Sequence, residues 1–220
     1  MLNYLEDADF PYSPRVIGIA DQCELLTYID ADSGDCWAPI ATEDGLRAAA
    51  HMLRHYHRVV AAWTPDENPV WFTGQVGTGG AGQIVCHGDF APWNILWKDG
   101  RPVGLLDWEY ANIAPPLQDV AYALEYMAPF RSDEVALKSM GYADPPNRRK
   151  RLEQFAEAYG LSTIDGLVDE VIAVQIAGID TVRSLAEAGY ERQVAMVDDG
   201  ELDRLQSCVD WTRQNRQLFE

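Results

Sequence analysis

Lysine is scarce in this chain of 220 residues, occurring only as Lys98, Lys138 and Lys150. Lysine and arginine together number 17 against 35 aspartates and glutamates, a formal net charge of -18. A surface of that sign repels nucleic acid and anionic membranes, so neither is expected as a partner. Cysteine is sparse as well. Cys23, Cys36, Cys86 and Cys208 are scattered with no C-x-x-C pair, which argues against a disulfide framework and for reduced thiols in a cytoplasmic protein. No apolar run nears the ~20 residues that cross a bilayer. The first residues, Met1 to Asp7, have neither the basic region nor the apolar core of a signal peptide. Internal repeats and low-complexity tracts are lacking too.

What is present suits one large domain or two small lobes. Residues 1–9 read as the tail of a helix, with Leu2 and Leu5 on one face and Pro11 and Pro14 ending it. Two strands are expected at 16–19 and 25–29, around a turn at Asp21 and Gln22. Residues 30–42 read as a polar linker. Leu46, Ala49, Ala50, Leu53 and Val60 then recur at helical spacing across 43–62. His51 and His55 stand four apart, a zinc-compatible spacing. With no nearby Cys or H-E-x-x-H pattern, these two and His57 are expected as surface or groove residues. Gly77 to Gly82 spells G-x-G-x-x-G but precedes an apolar strand rather than a helix, so it is not read as a dinucleotide fingerprint. Helices are expected from Asp119 onward and over 147–159, 164–188 and 191–218, with Gly160, Gly189 and Gly200 as punctuation.

The chemistry concentrates between Cys86 and Glu109. Two apolar runs, Ile95-Leu96-Trp97 and Pro102-Val103-Gly104-Leu105-Leu106, flank Lys98-Asp99-Gly100, a strong hairpin signal. Asp89 and Asn94 precede the first strand and Asp107 follows the second. Closing the hairpin gathers two carboxylates and an amide at one end of a ribbon. Such hard oxygen ligands suit Mg²⁺, which takes one or two carboxylates and fills its shell with water and phosphate oxygens.

The pattern His87-Gly88-Asp89, four residues, Asn94, and a strand ending in Leu106-Asp107-Trp108-Glu109 resembles the catalytic core of the aminoglycoside phosphotransferase and choline kinase family, relatives of the protein kinases. The likeness extends forward through Pro115 to Leu124 and back to Pro14-Arg15-Val16-Ile17-Gly18. It implies an α+β, protein-kinase-like fold. A reduced small β lobe and hinge (residues 1–35) would precede a mainly helical large lobe (36–220) carrying the catalytic-loop hairpin. By the same resemblance Asp89 orients the acceptor hydroxyl and takes its proton, and Asn94 and Asp107 hold the metal. The hinge at Thr27, Tyr28, Ile29 and Asp30 then faces the adenine. Asp119 braces the loop in that family, although a helix-start aspartate favouring the dipole is the other reading. The cofactors implied are Mg²⁺ with ATP or GTP.

One departure matters. No lysine precedes the catalytic loop, whereas the family grips the nucleotide phosphates with one. Glu6 stands where that lysine's partner would, and as a lone glutamate it reads as a solvated helix residue. Three functions therefore compete. The first is Mg-dependent transfer of a nucleotide γ-phosphate to the hydroxyl of a small molecule, aminoglycoside-like or other. The second is a catalytically degenerate relative that binds a ligand or partner in resistance or immunity. The third is a metal-dependent hydrolase on His87, Asp89 and Asp107, which a lack of further metal-ligand patterns disfavours. A cationic acceptor is compatible with the acidic balance. Asp180, Glu187, Asp198, Asp199 and Glu201 are candidates to line its pocket, with a solvated helix face as the plainer reading. Strand edges left by a reduced small lobe offer a second copy of the chain a place to pair.

Overall fold

The computed structural model describes residues 1–20, 23–32, 34–65 and 69–220. The turn expected at Asp21 and Gln22 lies outside these. The chain begins with α1 (Leu2–Asp7), then β1 (Val16–Ala20) and β2 (Cys23–Leu26) pair antiparallel. Next come α2 (Trp37–Ala41) and α3 (Glu43–Val60). Thr42 caps α3 by accepting a hydrogen bond from the Gly45 amide at 3.0 Å, and Glu43 and Asp44 sit in the first turn where the helix dipole favours them. Leu46, Ala49, Ala50, Leu53, Tyr56 and Val60 form the buried stripe of α3. Position 45 must be glycine, because a Cβ there would lie 2.0 Å from the Pro39 carbonyl oxygen.

Three short strand pairs follow one logic. Strand β3 (Ile84–Cys86) pairs with β6 (Asn112–Ala114), so the chain between them is closed into a loop. Inside it, β4 (Ile95–Lys98) and β5 (Arg101–Leu105) form the hairpin read from the sequence. Asp99 (φ 50°) and Gly100 (φ 71°) both take positive φ, as the tight turn of a right-twisted ribbon requires. Helices α4 (Leu117–Met127), α5 (Asp133–Ser139), α6 (Arg148–Tyr159), α7 (Leu167–Glu187), α8 (Glu191–Asp198) and α9 (Glu201–Gln214) complete the chain. Helix α6 packs on α3, and α7 packs on α4, α8 and α9. One large core joins them, from Leu5 and Phe10 at the start to Phe219, which stacks on Phe130 near the end.

Several expectations are corrected. The linker over 30–42 contains α2, which buries Ile40. The segment 191–218 is two helices, because Gly200 turns the chain with φ +80°. Neither β6 nor α5 was foreseen. His57 is buried rather than a surface residue, whereas His51 and His55 are exposed. Among the described residues no helix is long and apolar enough to cross a membrane. On β1 and β2, Ile17, Ile19 and Leu25 are 61%, 72% and 61% exposed, so this ribbon's apolar side chains face water.

Candidate active site

Asp119, fully buried at the start of α4, is the fastener. Its Oδ2 accepts hydrogen bonds from the His87 amide (2.7 Å) and from His57 Nε2 (3.0 Å), and its Oδ1 accepts one from the Gly88 amide (2.9 Å). Nδ1 of His57 in turn shares a hydrogen bond with the Tyr159 hydroxyl at 2.7 Å, which links α6, α3 and α4 to one loop. Burial pushes the Asp119 carboxyl upward, but the His57 hydrogen bond and charge, with His87 and the Gly88 amide, outweigh it and hold the group below the usual carboxylate value. His57, Cys86 and Asp119 bring ligand-type atoms within 4.8 Å of one another. That cluster is already satisfied: Cys86 Sγ points at the Ala114 and Pro115 carbonyls, and burial raises its thiol pKa, keeping it protonated.

His87 packs inside the loop. Nε2 donates to the Leu106 carbonyl (3.0 Å), which leaves Nδ1 to accept from the Asp89 amide (3.3 Å). Burial lowers its pKa and keeps the ring neutral. At Gly88 the backbone has φ +79°, and a Cβ would lie 2.0 Å from the Tyr110 carbonyl oxygen, so only glycine fits.

Asp89 presents its carboxylate to three donors. Oδ1 accepts from the Tyr122 hydroxyl at 2.6 Å, and Oδ2 accepts from Asn94 Nδ2 at 2.8 Å and Trp93 Nε1 at 3.3 Å. Burial nevertheless raises its pKa, against the pull of those three bonds and of His87. Asn94 Nδ2 also donates to the Asp89 carbonyl at 2.9 Å. Because the amide nitrogen is committed to two acceptors, the orientation of Asn94 is fixed and Oδ1 faces away. That oxygen accepts no hydrogen bond among the described residues, which leaves it available to a cation.

Asp107 is exposed and takes φ +66°. It has no hydrogen bond or ion pair among the described residues. The preceding residue anchors it: the Leu106 amide donates to the Asn94 carbonyl (2.9 Å), while the Leu106 carbonyl accepts from His87. A carboxylate and an amide oxygen, neither holding a hydrogen bond among the described residues, are the kind of oxygen donors a hard divalent cation takes.

A cavity of about 330 Å³ opens beside this loop, and Asp89, Trp93, Tyr122, Tyr126, Gln175 and Arg192 are among its lining residues. Asn94 and Asp107 are not on its wall. The structure thus joins Asp89 to Asn94 directly, and Asp107 to them through backbone only. Gln175 is buried with Nε2 donating to Glu125 Oε1 (3.3 Å), and its own Oε1 lacks a partner. Of the five acidic residues considered for a pocket, only Glu201 lines it.

Residues 27–30 lie apart from that cavity, along the β4–β5 hairpin. Thr27 exchanges hydrogen bonds with the Arg15 backbone through its own amide and Oγ1, both 2.9 Å. Ile29 packs over Gly104, Asp30 pairs with Lys98, and Tyr28 is exposed. The Asp32 amide adds a bond to the Trp97 carbonyl at 2.8 Å. Glu6 is exposed and pairs with Arg15 at 3.7 Å. The glycine-rich run at 77–82 leads into β3, not into a helix.

Tyr122 and Arg192 were not foreseen as site residues. Tyr122 follows Asp119 by three positions, one helical turn, so the spacing held the signal. Arg192 is distant in sequence and gave none.

Comparison with known proteins bears on the family and the fold. The family model described as "Phosphotransferase enzyme family" matches residues 71–159. The trifolitoxin immunity protein of Rhizobium leguminosarum bv. trifolii is 30% identical over 184 residues, covering 80% of this chain and 69% of that protein. Among solved structures, a Plasmodium vivax ethanolamine kinase is 12% identical with a TM-score of 0.58, over 97% of this chain and 72% of its own. An amicoumacin kinase in complex with AMP-PNP, Ca²⁺ and Ami is 11% identical with a TM-score of 0.57, over 97% and 75%. The fold is kinase-like, with few strands and a helical large lobe.

Proposed function

The chain belongs to the phosphotransferase enzyme family, and on that premise we propose that it transfers the γ-phosphate of ATP or GTP to a hydroxyl of a small molecule. The observation that carries this reading is the Asp89 carboxylate, fixed by Tyr122, Asn94 and Trp93 at the wall of a cavity. Burial raises its pKa, which makes it a better proton acceptor. In the transfer, the bond from the γ-phosphorus to the β,γ-bridging oxygen breaks. The acceptor oxygen bonds to phosphorus, its proton passes to Asp89, and the nucleoside diphosphate leaves. Asn94 Oδ1 and Asp107 are the ligands for Mg²⁺, which when bound neutralises phosphate charge. Residues Thr27 to Asp30 receive the base. The setting we assign is cytoplasmic.

The cavity suits an acceptor with hydrogen-bond donors and positive charge. Trp93 and Tyr122 bring aromatic rings, which attract cations, to its wall, and Gln175 Oε1 seeks a donor. A second reading rests on the relative named for toxin immunity: the chain binds its ligand and turns over feebly or not at all. Calorimetry with Mg·ATP and Mg·GTP tests the first reading. Asp107→Ala is expected to weaken binding by one to two decades, the loss of a roughly 1.5–3 kcal/mol charge-assisted contact. Equal affinity in both proteins would remove Asp107 from the metal site. Tight nucleotide binding without phosphoryl transfer to any tested hydroxyl would favour the second reading.

A further inference from the structure

The geometry points to Arg192 of α8 as the side chain that grips the γ-phosphate, an assignment that rests on the phosphotransferase reading. Phosphoryl transfer needs cationic charge around the terminal phosphate as well as the metal. All three lysines are engaged elsewhere. Lys98 pairs with Asp30 at the turn of the hairpin, Lys138 with Glu134 at 2.7 Å, and Lys150 with Glu43. Among the residues that line the Asp89 cavity, Arg192 is the one cation, alongside the acids Asp89, Asp119, Glu125 and Glu201.

Its position is built by several contacts. Nη1 donates to Glu109 Oε1 at 3.1 Å, and Glu109 is two residues past Asp107. The next residue, Gln193, is buried and donates through Nε2 to the Tyr110 hydroxyl at 2.9 Å. Tyr190, at the start of α8, packs edge-on against Phe72, which also packs against Tyr110. The beginning of α8 is thereby docked on the segment that directly follows Asp107. The charges of Asp107, Arg192 and Asp89 all act on the Glu109 carboxyl, so the four groups share one neighbourhood.

Arginine has five N–H donors in a planar fork, well matched to phosphate oxygens. Glu109 occupies Nη1, and Nε and Nη2 have no hydrogen bond among the described residues. The ion pair with Glu109 is solvent-exposed, so a phosphate can compete for the guanidinium at little cost. The free Nε and Nη2 donors are assigned to the terminal phosphate, the group that is passed to the acceptor, and none to the β-phosphate.

The test is a pair of titrations on the full chain with Mg·ATP and Mg·ADP, for the wild type, Arg192→Ala and Arg192→Lys. Arg192→Ala is expected to lose about tenfold in ATP affinity, as for one charge-assisted contact, with ADP affinity changed less than twofold. Arg192→Lys should recover part of the ATP loss. Because the side chain is exposed, melting temperatures of the variants should match the wild type and exclude a folding defect. An equal loss for both nucleotides, or no loss for either, would overturn the assignment while leaving the phosphotransferase reading intact. If the wild type binds neither nucleotide, that reading falls and takes this assignment with it.

Discussion

Asp119→Ala is expected to destabilise the protein by about 3–5 kcal/mol, the range for removing one partner from a buried, hydrogen-bonded charge network. The substitution strands the amides of His87 and Gly88 and the Nε2 proton of His57, all inside the core. Chemical denaturation measures the loss directly, and a change below about 1 kcal/mol would show that water replaces the carboxylate without difficulty. The same network sets the acid limit of the wild type. The Asp119 carboxyl is depressed in the folded state, so its contribution is present above the ordinary carboxylate value of 3.8 and is lost as pH falls through the lower folded value. His87 acts earlier. Burial depresses its pKa below 6.5, so in that window the unfolded chain takes up a proton that the folded chain refuses. Stability should therefore begin to decline as pH falls below about 6.5 and decline again in the carboxylate range.

Asp89→Asn is expected to lower phosphoryl transfer by ~10²- to 10⁴-fold, the usual worth of a positioned general base. The asparagine keeps an oxygen for Tyr122 but turns an amide toward Asn94 Nδ2, where two donors then meet. Release of labelled phosphate from nucleotide to an amino-alcohol acceptor, or to water, gives the rate. Retention of activity within threefold would move the proton transfer to another group. Asp89→Ala, measured beside it, separates loss of the carboxylate from disturbance of Asn94, because it introduces no donor.

The most local features were the ones visible in the sequence. The hairpin needed only its Asp-Gly turn and two apolar runs, and α3 needed only its periodic stripe. The pairing of β6 with β3 was hidden because three residues carry little pattern and their partners lie 26 to 30 positions away. Helix α2 was masked by Pro39, whereas Gly200, read as punctuation, marks the break between α8 and α9. His57 shows the limit most clearly. Its place on a helix was readable, but its role depends on Asp119, 62 residues further on, and on Tyr159, 102 residues on. No spacing rule connects such groups. At the site, Asp89, Asn94 and Asp107 stood out because they flank one ribbon. Arg192 did not, because α8 reaches them only through tertiary packing.

The left-handed backbone at Asp107 has an implication for how this chain is built. Glycine would adopt φ +66° without steric penalty, and asparagine would do so almost as readily. Aspartate is among the residues that enter this region, and Asp9 and Asp99 adopt it too, at φ 55° and 50°. Asp107→Gly should therefore ease the backbone while removing the carboxylate assigned to the cation, so any gain in stability would come with weaker Mg·nucleotide binding.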